Sequence, residues 1–124
     1  MVRADLPFGA QAAQLIHAAG HSANFDMSDG TYAIALHVAD EAELRALAAR
    51  LTAAGINHHL IIESDAPYTD QAMAIGIKPM NRQLLKPFLS SYALVAQSGR
   101  ASGVMTQKVQ GSNPCERSTS GVVV

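Results

Sequence analysis

Residues 31–63, TYAIALHVADEAELRALAARLTAAGINHHLIIE, carry the pattern that decides the fold class. Residues 31–38 are almost continuously apolar and lie between turn residues, which is typical of an interior strand covered on both faces. Asp40 followed by Glu43 predicts a helix start with a capping box, and Gly55 predicts the end of that helix. Residues 59–63 then predict a second strand.

The segments on either side of this stretch extend the alternation. Residues 1–2 predict a strand that would need residues upstream of Met1 to be a complete central one. Residues 10–23 predict a helix, with apolar side chains at helical spacing at Ala12, Leu15, Ile16, Ala19 and Ala23. Residues 72–77 predict a strand. Residues 79–89 predict a last helix, kinked by Pro87, with apolar members Leu84, Leu85, Phe88 and Leu89. The order β-α-β-α-β-β-α predicts a layered α/β domain with a small mixed sheet.

Length and composition limit the classes of protein to which the chain can belong. With 124 residues and a mass of 13.0 kDa, it is long enough for one domain with an ordinary core. A formal net charge of -1 offers no general attraction for nucleic acid, so any RNA must be held by local contacts. A single cysteine, Cys115, and the lack of a leader or a bilayer-length apolar run predict a soluble cytoplasmic protein. The secreted, membrane and disulfide-scaffold classes are therefore excluded at this stage.

The composition changes near Ala96, beyond which Ser, Gly, Gln, Thr and Asn dominate. Such a segment cannot bury enough apolar surface to offset the entropy of ordering it. We therefore predict a domain over residues 1–95 and a disordered tail over residues 96–124.

Polar side chains on the first helix are the first candidates for chemistry. Gln14, His17 and His21 follow each other at helical spacing and are expected on one face. A histidine there is suited to act as a general base, although a lone histidine on a helix is more often a packed residue bonded to a backbone carbonyl. Neither HExxH nor CxxC occurs, so no metal site is predicted.

The loop over residues 65–69 follows a predicted strand, at a place where α/β sheets often bind ligands. An aspartate followed by Pro67 is also typical of an ordinary turn. Arg3 and Asp5, near the end of the first strand, either pair with each other or line the same edge as Asp65. Two further expectations concern histidines: His37 should face a helix layer, and His58 and His59 should point to opposite sides of their strand.

Four motifs in this order resemble the type II peptidyl-tRNA hydrolase family. They are residues 3–6 (RADL), 12–19 (AAQLIHAA), 65–69 (DAPYT) and 74–79 (AIGIKP), and the resemblance extends over essentially all of residues 1–95. The resemblance implies a three-layer α/β/α domain with a four-stranded mixed sheet, which frees tRNA from a peptide esterified to its 3′ ribose. It implies no metal and no organic cofactor.

The resemblance also implies roles for particular residues. His17 would activate water, Asp65 would orient that base or the water, and the Thr69 hydroxyl would stabilise the oxyanion. For substrate binding we select Gln14, which would hold the peptide or the terminal ribose, together with Tyr68 and Arg3. Tyr68 would stack on the terminal adenine.

The sequence departs from the family pattern at two cationic positions. The family's glycine and arginine in the DAGRT loop are replaced by Pro67 and Tyr68, and the turn over residues 7–11 has no lysine. An alternative is therefore a catalytically weak or inactive member that binds tRNA or protein. A third is a misassigned or decaying gene whose product folds poorly, suggested by the short first strand and by the tail. In the tail, residues 111–115 (GSNPC) can be encoded by the T-arm of a tRNA gene, as they would be if the reading frame ran into one. The expected partner is peptidyl-tRNA, with no membrane, and the sequence leaves a homodimer open.

Overall fold

The computed structural model describes residues 1–23, 30–98 and 120–123. These residues form three helices and six strands, so the predicted α/β class is confirmed. In chain order the elements are β1 (Val2–Arg3), α1 (Phe8–Ser22), β2 (Tyr32–Val38), α2 (Glu41–Ala53), β3 (His58–Ile62), β4 (Ala72–Asn81), α3 (Arg82–Leu89), β5 (Ala93–Ser98) and β6 (Ser120–Val123).

All six strands belong to one mixed sheet. β1 and β6 both lie between β2 and β4, parallel to β2 and antiparallel to β4. β3 pairs with β4 and β5 pairs with β2, both antiparallel, so β2 is an interior strand as predicted. The resemblance implied four strands; the additional pairings of β5 and β6 with β2 bring the number to six.

The core is divided between the two faces of the sheet, which gives the three layers. α2 and α3 pack on one face, where the buried side chains include Leu36, Leu44, Leu47, Leu51, Ile75, Ile77, Leu85 and Leu89. α1 packs on the other face, against a cluster that includes Val2, Leu6, Ala18, Ile61, Met73 and Ala74.

Helix α2 matches its sequence pattern closely. The Asp40 side chain accepts from the backbone N–H of Glu43 at 2.9 Å, and the Glu43 carboxylate accepts from the N–H of Ala39 at 2.6 Å. The chain leaves the helix at Gly55, whose φ of 69° is the left-handed conformation expected there. All four predicted core members of α2 are buried: Leu44, Leu47, Ala48 and Leu51.

Helix α1 is present, but its buried face differs from the predicted one. Gln14, Ala18 and Ser22 are its buried residues, whereas Ile16 is 71% exposed. The reason is that α1 lies very close to β4 at Gly76, where a Cβ would be only 2.2 Å from the Ala18 carbonyl oxygen. At such a close approach only small side chains fit, so the small residues and not the largest ones face the sheet.

Two parts of the predicted tail are strand residues. Residues 96–98 belong to β5 and residues 120–123 form β6, and the predicted disorder of the tail stays a prediction. The remainder of the tail, including Cys115, lies outside the described residues. The boundary at residue 95 stays a prediction.

Candidate active site

The candidate site lies where α1 meets the loop between β3 and β4. This loop is closed at its base by two backbone hydrogen bonds, from Glu63 N–H to Gln71 O at 2.9 Å and from Asp70 N–H to Glu63 O at 2.7 Å. Within it, the N–H of Tyr68 donates to Asp65 O at 3.1 Å. Because the loop is tied back on itself, residues 65–69 are presented at the end of the hairpin.

Gln14 connects α1 to this loop. It is only 5% exposed, and its Nε2 donates to Glu63 Oε2 at 2.8 Å. The other carboxylate oxygen of Glu63 accepts from the backbone N–H groups of Ser64, at 3.0 Å, and Asp65, at 3.4 Å. Glu63 therefore links the helix to the start of the loop.

These contacts also determine the charge state of Glu63. The hydrogen bond from Gln14 lowers the pKa of the Glu63 carboxyl, the backbone N–H groups of Asp65 and Ser64 lower it further, and an electrostatic interaction with His17 adds to the effect. Within the described part of the chain, the Oε1 atom of Gln14 is a buried acceptor with no partner.

The three predicted catalytic residues are all exposed to solvent. The side chains of His17, Asp65 and Thr69 make no hydrogen bond or ion pair with any other described residue. The structure thus does not bring His17 and Asp65 into direct contact, and the carboxylate whose charge interacts with His17 is that of Glu63. The catalytic roles of the three residues stay predictions.

Sequence analysis did not single out Glu63. It was assigned only to the end of a strand, where an acidic side chain two residues before Asp65 is the one available signal. Its partner, Gln14, lies 49 residues away, so no local pattern could identify the pairing.

Tyr68 is half-buried, and it packs against the apolar cluster beneath α1 together with Ala10 and Leu15. Part of the ring therefore covers the core. Stacking of the ring on an adenine remains a prediction.

Arg3 lies in an internal network of its own. It pairs with both carboxylate oxygens of Asp5, at 2.9 and 2.8 Å, and its Nη1 donates to Gln71 Oε1 at 2.9 Å and Ala72 O at 3.2 Å. Pairing with Asp5 raises the pKa of Arg3 and lowers that of Asp5. Of the two arrangements left open by the sequence, the structure shows Arg3 paired with Asp5. Each of the three guanidinium nitrogens thus has a partner within the protein, and the predicted role of Arg3 in substrate binding stays a prediction.

The other histidines face helix α1 or the backbone. His37 contacts Gln11 of α1 through Nε2 at 2.7 Å, as expected of a residue that faces a helix layer. His59 stacks on His21 of α1 with ring centroids 4.5 Å apart, whereas His58 contacts the carbonyl of Ile56 at 2.8 Å. The three polar residues predicted to share one face of α1 therefore differ in their environment. Gln14 is buried, whereas His17 and His21 are exposed.

No group of three or more His, Cys, Asp or Glu side chains is arranged to hold a metal ion within residues 1–23, 30–98 and 120–123. Of the helices in that part of the chain, none is long and apolar enough to cross a bilayer.

Comparison with known proteins places these features in a family. The family model described as "Peptidyl-tRNA hydrolase PTH2" matches residues 1–95, which include α1, the β3–β4 loop and every site residue named above. No curated protein and no solved structure gives a significant match. Since the match covers most of the chain, this protein belongs to the PTH2 peptidyl-tRNA hydrolase family.

Proposed function

We propose that the chain hydrolyses the ester between a peptide, or an N-blocked amino acid, and the 3′ end of tRNA. The observation that carries this proposal is the family match over residues 1–95, together with the position of its motif residues. His17 lies on α1 and Asp65 and Thr69 lie on the β3–β4 loop, and the bond between Gln14 and Glu63 holds these two elements together. We place this reaction in the cytoplasm.

The reaction can be written with the side chains at this junction. His17 accepts a proton from a water molecule whose oxygen attacks the ester carbonyl carbon, and Asp65 orients that water. The Thr69 hydroxyl donates to the oxyanion that forms. Collapse of the intermediate breaks the bond to the ribose oxygen, which takes the proton from His17, and the peptide leaves as a carboxylic acid that loses its remaining proton to solvent.

Gln14 and Glu63 would act as positioning residues. Gln14 is too deeply buried to make extensive contact with a substrate. We therefore assign it to holding the Glu63 carboxylate, which in turn holds the backbone of residues 64 and 65. A loop misplaced by about 1 Å can lower a rate roughly a hundredfold. We therefore expect Glu63→Gln to lower turnover more than it lowers tRNA affinity.

The test is release of an N-blocked amino acid from N-acyl-aminoacyl-tRNA by the full chain. His17→Ala should lower the rate by about 10²- to 10⁴-fold, as expected for loss of a general base, and Asp65→Ala should also lower it. His21→Ala is the matched control, because His21 is an exposed histidine one turn along the same helix. Equal melting temperatures would show that these variants remain folded. Unchanged turnover in both His17→Ala and Asp65→Ala would contradict the mechanism.

A second candidate function is binding of tRNA without hydrolysis. It is favoured by the absence of the two cations of the family pattern, since the turn over residues 7–11 has no lysine and Tyr68 replaces the arginine of the loop over residues 65–69. With few cations free to contact phosphate, tRNA affinity should depend only weakly on salt concentration. A folded chain that binds tRNA and releases no amino acid above the no-enzyme control would support this function over the esterase.

A further inference from the structure

A cavity lies on the face of the sheet that carries α2 and α3, at the place where α3 leads into β5. Residues of β2, the end of β4, α3 and the start of β5 line it. Its volume of about 500 Å³ falls in the range of small-molecule sites, roughly 300–1,000 Å³. Helix α1 packs on the opposite face of the sheet, so the cavity is separate from the candidate active site.

The inner part of the cavity is apolar. Leu36, Leu85 and Leu89 line it and are buried members of the main core, and Met80 packs against that core beside them. Leu94 lines the cavity as well, yet it is 56% exposed to solvent. An aliphatic ligand would remove this apolar surface from water, which is favourable in proportion to the area covered.

The exposed part of the lining carries positive charge. Arg82 and Lys86 line the cavity and lie four residues apart on α3, so they are neighbours on the helix surface. Both are exposed, and neither makes an ion pair with another residue of the described part of the chain.

No carboxylate stands among the described residues that line the cavity. Glu43 acts electrostatically on Tyr92, which belongs to the lining, but Arg50 acts on Tyr92 in the opposite direction. The charges around the opening therefore favour an anion over a cation.

We propose that this cavity binds a small amphipathic anion, namely an aliphatic chain with a carboxylate at one end. The chain lies on Leu36, Leu85 and Leu89, and the carboxylate lies between Arg82 and Lys86. A carboxylate suits this place because the planar guanidinium group of arginine can donate two parallel hydrogen bonds to it. Charge complementarity selects this ligand over an alcohol or an ammonium ion of the same chain length. The inference is independent of the proposed esterase.

Octanoate is the probe, and NMR of the methionine methyl groups of the full chain is the measurement. Met80 lines the cavity, whereas Met73 belongs to the cluster beneath α1 and serves as an internal control. Octanoate should shift the Met80 signal with a Kd of about 1 mM or lower and leave the Met73 signal unchanged. A Met80 signal that does not move at a concentration about ten times higher would overturn the proposal.

Octanol and octyltrimethylammonium test the charge of the ligand. They have aliphatic chains of the same length and no negative charge. Each should bind at least about fivefold more weakly than octanoate, because neither gains from the two cations. Equal affinity of all three compounds would show that the cavity accepts any aliphatic chain, and it would overturn the assignment of an anion.

A double variant tests the two cations. Arg82→Gln with Lys86→Gln should lower octanoate affinity by about three- to tenfold and leave octanol affinity unchanged. Lys78→Gln is the matched control, because Lys78 is an exposed lysine of β4 that does not line the cavity. A double variant that binds octanoate as tightly as the Lys78→Gln variant does would overturn the position of the carboxylate.

A substitution at Leu94 tests the place of binding without touching the core. Leu94→Glu adds a carboxylate to the lining and should lower octanoate affinity at least about tenfold. Val95→Glu is the control, because Val95 is the next residue and is also exposed, but does not line the cavity. Equal melting temperatures would show that both variants remain folded. Equal octanoate affinity in the two variants would place the ligand elsewhere and overturn the proposal.

Discussion

A methyl group added at Gly76 of β4 should strongly disrupt the packing of α1 on the sheet. A Cβ there would lie 2.2 Å from the carbonyl oxygen of Ala18 and 2.8 Å from both Cβ and Oγ of Ser22. The Ala18 carbonyl oxygen and the Ser22 Cβ are held in place by the helix. The Ser22 hydroxyl is held as well, because it donates to the Ala18 carbonyl at 2.7 Å. No rotation of a flexible side chain can relieve the overlap, so Gly76→Ala must displace α1 from the sheet.

The size of the effect follows from these distances. An ordinary contact distance of 3.4 Å to the Ala18 carbonyl requires a movement of about 1 Å. Overpacking of a core costs roughly 1–3 kcal/mol, and a clash with backbone belongs at the upper end, so we expect a loss of about 3 kcal/mol. For a domain of this size that corresponds to a fall in Tm of roughly 10–20 °C.

Thermal and urea unfolding of Gly76→Ala and Gly20→Ala measure this directly. Gly20 lies on α1 itself, and a Cβ there would meet nothing within 4 Å, so the same substitution should stabilise the protein by about 0.5–1 kcal/mol through helix propensity. The two variants should therefore shift in opposite directions. A Gly76→Ala protein as stable as the unsubstituted chain would refute the close approach of α1 to β4.

Three further predictions concern stability. Arg3→Ala should lower the free energy of unfolding in urea by about 3 kcal/mol, because it leaves buried acceptors unpaired. Arg45→Ala removes an exposed ion pair with Glu41 and should lower the same free energy by less than about 1 kcal/mol. Equal losses in the two variants would contradict the Arg3 network. Burial lowers the pKa of the Met1 amino group from 8.0 to about 4. Between pH 4 and pH 8 the unfolded chain therefore binds a proton that the folded chain does not, and the free energy of unfolding should rise with pH by roughly 5 kcal/mol, at about 1.36 kcal/mol per pH unit. An Nα-acetylated chain with the same pH dependence would disprove this prediction. Asp40→Ala should cost about 1 kcal/mol by removing the cap of α2, measured by thermal unfolding, and no loss would mean that the cap contributes nothing.

Features that depend on neighbouring residues were predictable from the sequence. α2 is the best example, because its cap at Asp40, its apolar spacing and its end at Gly55 all involve residues within one or two turns of each other. The interior position of β2 was predictable for a similar reason, since an uninterrupted apolar run requires cover on both faces. The motif residues Gln14 and His17 were placed on α1, and Asp65 and Thr69 on the loop after β3, where the structure has them.

Features that depend on contacts between distant residues were not predictable. The buried face of α1 is determined by Gly76, which belongs to another element, so the spacing of large apolar residues on α1 pointed to Ile16 and missed Ser22. The pairing of Gln14 with Glu63 and of Arg3 with Gln71 likewise joins residues that lie far apart along the chain.

The amino-acid sequence by itself determined the order and type of the main elements and the family motifs, because caps, turns and apolar periodicity act within a few residues. Only the tertiary structure decided which carboxylate meets Gln14, which face of α1 is buried and that residues 120–123 enter the sheet beside β2. Those outcomes depend on backbone approach and strand pairing between segments that are brought together only by folding.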